Sequence, residues 1–187
     1  MAGTTMQTIP SFVNPMRIRI VMISEALPHN LEDYFYCGSS SLYVTNTIDA
    51  FNSAGMQVRS IEEIVGKGVY LTVAVKEPRV GPSISTDVVK SNSYELEEEL
   101  GQFPNVRAIL LMGDVAIKAM NYISLRAKKG RAVPNGSTYK IRKGKFYYGS
   151  IRVFPSYLQT GKSFLIERSK REMVAEDIRD ALSLLES

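Results

Sequence analysis

Val106-Arg107-Ala108-Ile109-Leu110-Leu111-Met112-Gly113-Asp114-Val115 runs from an almost wholly apolar segment through a glycine into the start of an amphipathic one. Residues 106–112 have the length of a strand, and an apolar strand without polar alternation is covered on both faces, as in a parallel sheet. Gly113 ends it, and Asp114 is placed to cap a helix over 115–125 through its side-chain oxygen. A buried strand that feeds directly into a helix is the repeating unit of an α/β protein.

The same unit recurs on either side. Residues 17–24 (Arg-Ile-Arg-Ile-Val-Met-Ile-Ser) begin in strict alternation and end in an apolar run, which predicts a central strand. A helix follows over 40–54, with Leu42, Thr45, Ile48 and Phe51 on one face and Gly55 as its stop. Residues 69–75 are rich in β-branched side chains and predict a second strand, and Pro78, Gly81 and Pro82 form the loop after it. Residues 85–101 read as helical, in one piece or in two broken near 91–93, with Glu95, Glu97, Glu98 and Glu99 as a solvated face. Residues 126–137 form a basic loop containing Gly and Pro. Residues 139–141 and 146–148 flank Arg142-Lys143-Gly144-Lys145 in a hairpin-like pattern, and 151–154 is a fourth main strand. The chain closes on an amphipathic helix over 165–185, with Met173, Val174, Ile178, Leu182 and Leu185 as its apolar stripe. The expected fold is α/β: a three-layer αβα sandwich with a central, four-stranded, mostly parallel sheet.

Composition bounds the function. A chain of 187 residues, 44% of them hydrophobic, is expected to form one domain over 1–187, with 1–15 as a loosely ordered N-terminal segment. Residues 1–15 lack a basic start followed by an apolar run, so no signal peptide is expected. No apolar stretch approaches the roughly 20 residues that span a bilayer. Cys37 is the single cysteine, which excludes a disulfide framework and a multi-cysteine metal or iron–sulfur site within one chain. Neither GxGxxG nor a Walker pattern occurs, so no nucleotide cofactor is expected, and with a single cysteine the expectation is no cofactor and no metal. The expectation is a cytoplasmic monomer that makes no contact with membranes.

Charge points to a partner. Residues 1–100 hold 7 Lys/Arg against 12 Asp/Glu, while 101–187 hold 16 against 7. Between Arg126 and Arg171 there are 13 basic residues and one acidic, Glu167. Such a block neutralises phosphates and gains affinity by counterion release, although a basic run is also a common solvated face. Inside it lies Val153-Phe154-Pro155-Ser156-Tyr157-Leu158-Gln159-Thr160-Gly161, a strand that turns sharply. Ligands of such sheets bind beyond the carboxyl ends of the strands. The candidate site is therefore framed by Ser24-Glu25-Ala26, Lys76-Glu77-Pro78, Gly113-Asp114 and residues 155–161.

These segments carry a resemblance. Ser24-Glu25-Ala26 resembles the Gly-Glu-Ala-Pro-Gly motif of the uracil-DNA glycosylase superfamily, above all its family 4 branch. Tyr36-Cys37-Gly38-Ser39-Ser40-Ser41 is similar to its Phe-x-Gly-x-(Ala/Ser)-Gly, and Tyr70-Leu71-Thr72-Val73-Ala74-Val75-Lys76 to its Tyr-x-Thr-Asn-x-Val-Lys strand. Leu111-Met112-Gly113-Asp114-Val115-Ala116-Ile117-Lys118-Ala119 resembles Leu-Leu-Gly-x-x-Ala-x-Lys-Ala, and Pro155-Ser156-Tyr157 the Pro-Thr-Tyr that precedes the family's His-Pro. The resemblance runs in order from about Arg17 to Leu182 and implies a parallel sheet of order 2-1-3-4.

It also implies roles. Glu25 takes the position of water activation, with Tyr36, Gly38, Val73 and Leu158 in the base pocket. Ser39, Ser40, Lys76, Lys143, Lys145, Ser156, Tyr157, Gln159, Thr160 and Lys162 fall on the DNA-binding side. Three departures stand out: Val73 replaces the Asn that reads the uracil edge, Leu158 replaces the loop histidine, and the iron–sulfur cysteines are absent. A register one residue different puts Gln159 on the histidine instead. Excision requires flipping the base out of the stack and stabilising negative charge as it leaves. Val73 cannot hydrogen-bond a base and Leu158 cannot donate to an anion; each lost donor costs on the order of 100- to 1000-fold in rate. His29, Ser156 and Gln159 are the candidate substitutes, with Tyr34 and Tyr36 available to stack, although a loop histidine is also an ordinary surface residue and loop tyrosines ordinarily pack on the core. Two functions follow as expectations: a DNA glycosylase of weak or shifted base specificity acting in base excision repair, or a catalytically silent module that binds nucleic acid or bases on the same scaffold. Binding of a small molecule in the same cleft is a third.

Overall fold

Residues 8–38 and 40–187 are described by the structure, a computed structural model. The core is the apolar strand set read from the sequence. Strand β1 (Ile20–Leu27) lies between β2 (Val69–Pro78) and β3 (Ala108–Met112), and its residues are buried except Glu25, which is half-buried. All three run parallel, with Ser24 opposite Val73 and Ile23 opposite both Thr72 and Leu111. Strand β5 (Ile151–Ser156) adds parallel to β3, bringing Met112 opposite Ser156.

The sheet has five strands, one more than expected. Residues 146–148 form β4 (Phe146–Tyr148), which pairs antiparallel with β5 at the sheet edge and completes the order β2-β1-β3-β5-β4. The four parallel strands keep the order implied by the resemblance. Residues 139–141 do not pair with β4; they belong to the short helix α5 (Thr138–Ile141). The α5 turn brings Arg142 to Asp177, where Nη2 donates at 2.9 Å and Nε at 3.2 Å to the two carboxylate oxygens. A buried bidentate ion pair outweighs the β-propensity of Tyr139 and Ile141.

Helices cover both faces. Helices α3 (Thr86–Leu100) and α4 (Asp114–Arg126) pack together on one face. On the other lie α1 (Leu42–Ser53), the short α2 (Ile61–Gly66), which the sequence reading missed, and the C-terminal α7 (Arg168–Ser183), preceded by one turn, α6 (Ser163–Ile166). Ser41 and Ser85 cap α1 and α3 by accepting from the amides of Val44 and Val88. Helix α3 is unbroken, because Ser91 and Ser93 satisfy their hydroxyls by donating to the carbonyls of Val88 and Lys90. The capping expected of Asp114 is not made: it is the first residue of α4 and Gly113 occupies the cap position without a side chain. Val13 is buried and Ile9 packs against the core. No described helix is long and apolar enough to cross a membrane.

Candidate active site

Three of the four framing segments, and Arg79 just beyond the fourth, meet at the carboxyl ends of the parallel strands, where two cavities of about 580 and 600 Å³ open side by side. Glu25, Arg79 and Leu158 line both, so they form the partition of one continuous cleft. The first cavity adds His29, Tyr43, Thr160 and Lys162; the second adds Asp114, Lys118, Tyr157 and Lys170.

Glu25 owes its place to an irregularity in the sheet. Between Ala26 and Leu27 the partner position on β2 jumps from Val75 to Pro78, a bulge that ends regular pairing and re-aims the strand ends. The bulge sets the amide of Arg79 against the carbonyl of Leu27 at 3.2 Å and its guanidinium against Glu25, Nη1 to Oε1, at 3.0 Å. Burial pushes the Glu25 carboxyl above its ordinary value; Arg79 works against this, and the charge of Asp114 reinforces it. A carboxylate with raised basicity at a cleft wall is what a general base needs.

The loop over 157–161 is pinned from both sides by buried groups. Ser156 donates to Asp177 at 2.6 Å, and the Arg142 guanidinium clamps the same carboxylate. On the other side the Gln159 side-chain amide donates to Ser24 at 2.9 Å and to Thr47 at 3.3 Å, while Asn46 donates to the Gln159 carbonyl at 2.9 Å. With Ser156 and Gln159 wholly buried, Tyr157 and Leu158 are left between them facing the cleft. Gly113 makes room for this turn: its φ is +100°, and a Cβ there would sit 3.3 Å from Leu158 Cβ. Gly113→Ala is expected to lower stability by about 1–2 kcal/mol and to displace Leu158; the first effect is read from thermal unfolding.

The structure therefore brings together only part of the expected set. Glu25, Leu158, Tyr157, Thr160 and Lys162 meet at the cleft, and His29 lines its outer rim. Tyr36 does not reach it. Its ring stacks on Tyr70 at 5.9 Å, and its hydroxyl donates to the carbonyl of Leu71 at 2.7 Å and accepts from that residue's amide at 2.8 Å. Tyr34 is likewise core. Gly38 and Ser40 line a separate hollow beside α1 and α2, and Ser39 lies outside the described residues. Val73 is fully buried in β2 and lines neither cavity of the cleft, so an asparagine there would be buried rather than presented to a base.

The basic side divides in the same way. Ser156 and Gln159 are consumed by the buried pins and are not surface contacts. Lys76 is buried against Glu99, Nζ to Oε1, at 2.8 Å, so it cannot meet a phosphate; Glu99 in turn is not on a solvated face. Lys143 is exposed but paired to Glu176 at 3.1 Å, and Lys145 is exposed away from the cleft. Arg126 is paired to Glu97. Cations at the cleft come instead from Arg79, Lys118, Lys162 and Lys170, the last with its Nζ 5.4 Å from the centre of the Tyr157 ring.

Sequence reading placed Asp114 at the site through its strand end but missed Arg79, Lys118 and Tyr43. Arg79 and Asp114 each sit at or one residue beyond a framing strand end, a positional signal that was legible. Tyr43 gave none; its hydroxyl donates to the carbonyl of Ala26 at 2.7 Å, and burial pushes its phenol up to about 12, so it stays a neutral wall.

No family model matches the chain. Over 120 residues it is 31% identical to a curated relative, the Type-5 uracil-DNA glycosylase of Thermus thermophilus. The match takes in 63% of the chain but 51% of that protein, so the chain spans about half the length of the curated relative it matches. The chain is thus similar to a uracil-DNA glycosylase, here a protein named as type 5.

Proposed function

We propose that this protein binds DNA and hydrolyses the N-glycosidic bond of an everted base in base excision repair, as a member of the uracil-DNA glycosylase superfamily. The observation that carries the proposal is Glu25: a half-buried carboxylate of raised basicity, held by Arg79 in the partition of a cleft at the strand ends. The similarity to a protein named as a uracil-DNA glycosylase supports the same reading. In this role Glu25 takes a proton from water as the water attacks the sugar carbon, and its charge offsets the positive charge that develops there. Lys118, Lys162 and Lys170 around the cleft suit a phosphate backbone.

Leu158 favours a second reading, a base-binding module without activity. It faces the cleft, at the sequence position that the resemblance aligns with the family histidine, and Gln159, the alternative in register, is turned into the core. Incubation with duplex or single-stranded oligonucleotides carrying uracil, hypoxanthine or a mismatch separates the two: abasic sites support the enzyme, and salt-sensitive binding without abasic sites supports the module. Leu158→His should raise excision, because it returns a donor to the cleft where a donor is worth on the order of 100-fold or more. Lys162→Glu should weaken DNA binding and flatten its salt dependence, measurable by fluorescence anisotropy at several salt concentrations. Binding that is indifferent to salt and to this charge reversal would sink both readings.

A further inference from the structure

We propose that Arg79 is the anion-binding group of the cleft, the residue that takes up the negative charge on a departing base. The inference rests on the glycosylase reading of the same site. Departure of a base leaves the electron pair of the broken N-glycosidic bond on the ring nitrogen. The water oxygen bonds to the sugar carbon, the water proton passes to Glu25, and the base anion stays until solvent protonates it. Neither Leu158 nor the buried Gln159 can donate to that anion.

Arg79 can, for three reasons. Among the described residues it is the one cation that lines both cavities, so it faces a base on either side of Leu158. Its guanidinium is oriented by the backbone: Nε donates to the carbonyl of Gly81 at 3.3 Å and Nη2 to that of Pro82, while Nη1 meets Glu25. An arginine has five N–H donors in a rigid planar fork, and these contacts use three, leaving two without a partner among the described residues. The side chain is 38% exposed, so those donors are reachable. The remaining donors are one N–H on Nη1 and one on Nη2, and the N–C=O edge of a deprotonated imide offers two acceptors to them.

The arrangement makes Glu25 and the anion competitors for one guanidinium. Glu25 ionised holds Arg79; Glu25 protonated, as it is once water has been activated, releases Arg79 to the leaving base. The two halves of the reaction are thereby coupled through a single side chain.

The test uses free 5-fluorouracil, a base whose ring imide ionises readily, and reads its dissociation constant by calorimetry below and above that ionisation. Asp114, Lys118, Lys162 and Lys170 also face the cleft and are unchanged in all variants. In Glu25→Gln, affinity is expected to rise at least about tenfold when the ligand becomes an anion, and more than in wild type, whose carboxylate competes. Arg79→Met in the Glu25→Gln background should abolish the rise; if that variant fails to fold, judged by its circular dichroism, Arg79→Gln serves in its place. A rise that survives loss of Arg79, affinity indifferent to ionisation, or no binding of the base by any variant overturns the inference. Anion binding that requires Arg79 in a protein producing no abasic sites keeps Arg79 as the anion-binding group of the cleft and removes the glycosylase reading, and with it the departing base as the natural anion.

Discussion

Glu25→Gln is expected to lower excision by about 10²- to 10⁴-fold while leaving the fold and DNA affinity intact. Glutamine keeps the shape and the contact distance to Arg79 but cannot accept a proton. The residue is on the cleft wall rather than in the core, so the loss is chemical and not one of packing. The pH profile carries the same signature. Glu25 must be ionised to act, and burial lifts its carboxyl above the ordinary range, so excision should fall as pH drops through that raised value and not only near the usual carboxylate pKa. Removing the guanidinium in Arg79→Met takes away the influence that opposes burial and should move this limb to still higher pH. A limb at the ordinary carboxylate value in both proteins would count against Glu25 as the base.

Lys76→Met should destabilise the protein by roughly 3–5 kcal/mol. Its ammonium is 2% exposed and meets a Glu99 carboxylate that is 5% exposed; that carboxylate also accepts from Tyr70 at 3.1 Å and Thr72 at 2.7 Å. Without Lys76 the negative charge stays buried and uncompensated, which is the expensive half of breaking an ion pair. Lys76→Met combined with Glu99→Gln should recover part of the loss. Thermal and denaturant unfolding measure both, and additive losses in the double variant would contradict the pair as described.

What the sequence disclosed and what it hid divide along physical lines. Strand β3, Ala108–Met112 within the expected 106–112, and its glycine stop were legible because burial on both faces leaves an apolar run. The strand ends followed from parallel topology, and with them Glu25, Leu158 and the neighbourhood of Arg79. Long-range polar pairing was hidden. Nothing local to Glu99 distinguishes it from its exposed neighbour Glu98, and only the fold shows Lys76 reaching it across 23 positions. Residues 139–141 have the composition of a strand, yet the ion pair of Arg142 with Asp177 decides their helical turn. Ser156 and Gln159 were put on the DNA-binding side by the resemblance of their loop, whereas here they fasten that loop to the core. Tyr36 matched a stacking motif, but the sheet beneath it supplied Tyr70 and the backbone of Leu71 as partners.

Single-turnover production of abasic sites, with enzyme in excess over a uracil-containing oligonucleotide and bound DNA followed in the same samples, tests the central claim most directly. Wild-type protein should generate abasic sites in a first-order phase, and Glu25→Gln, at equal DNA occupancy, should generate them at least about 100-fold more slowly. DNA fully bound by wild-type protein with no abasic sites formed, or formed at the same rate by both proteins, would contradict the account.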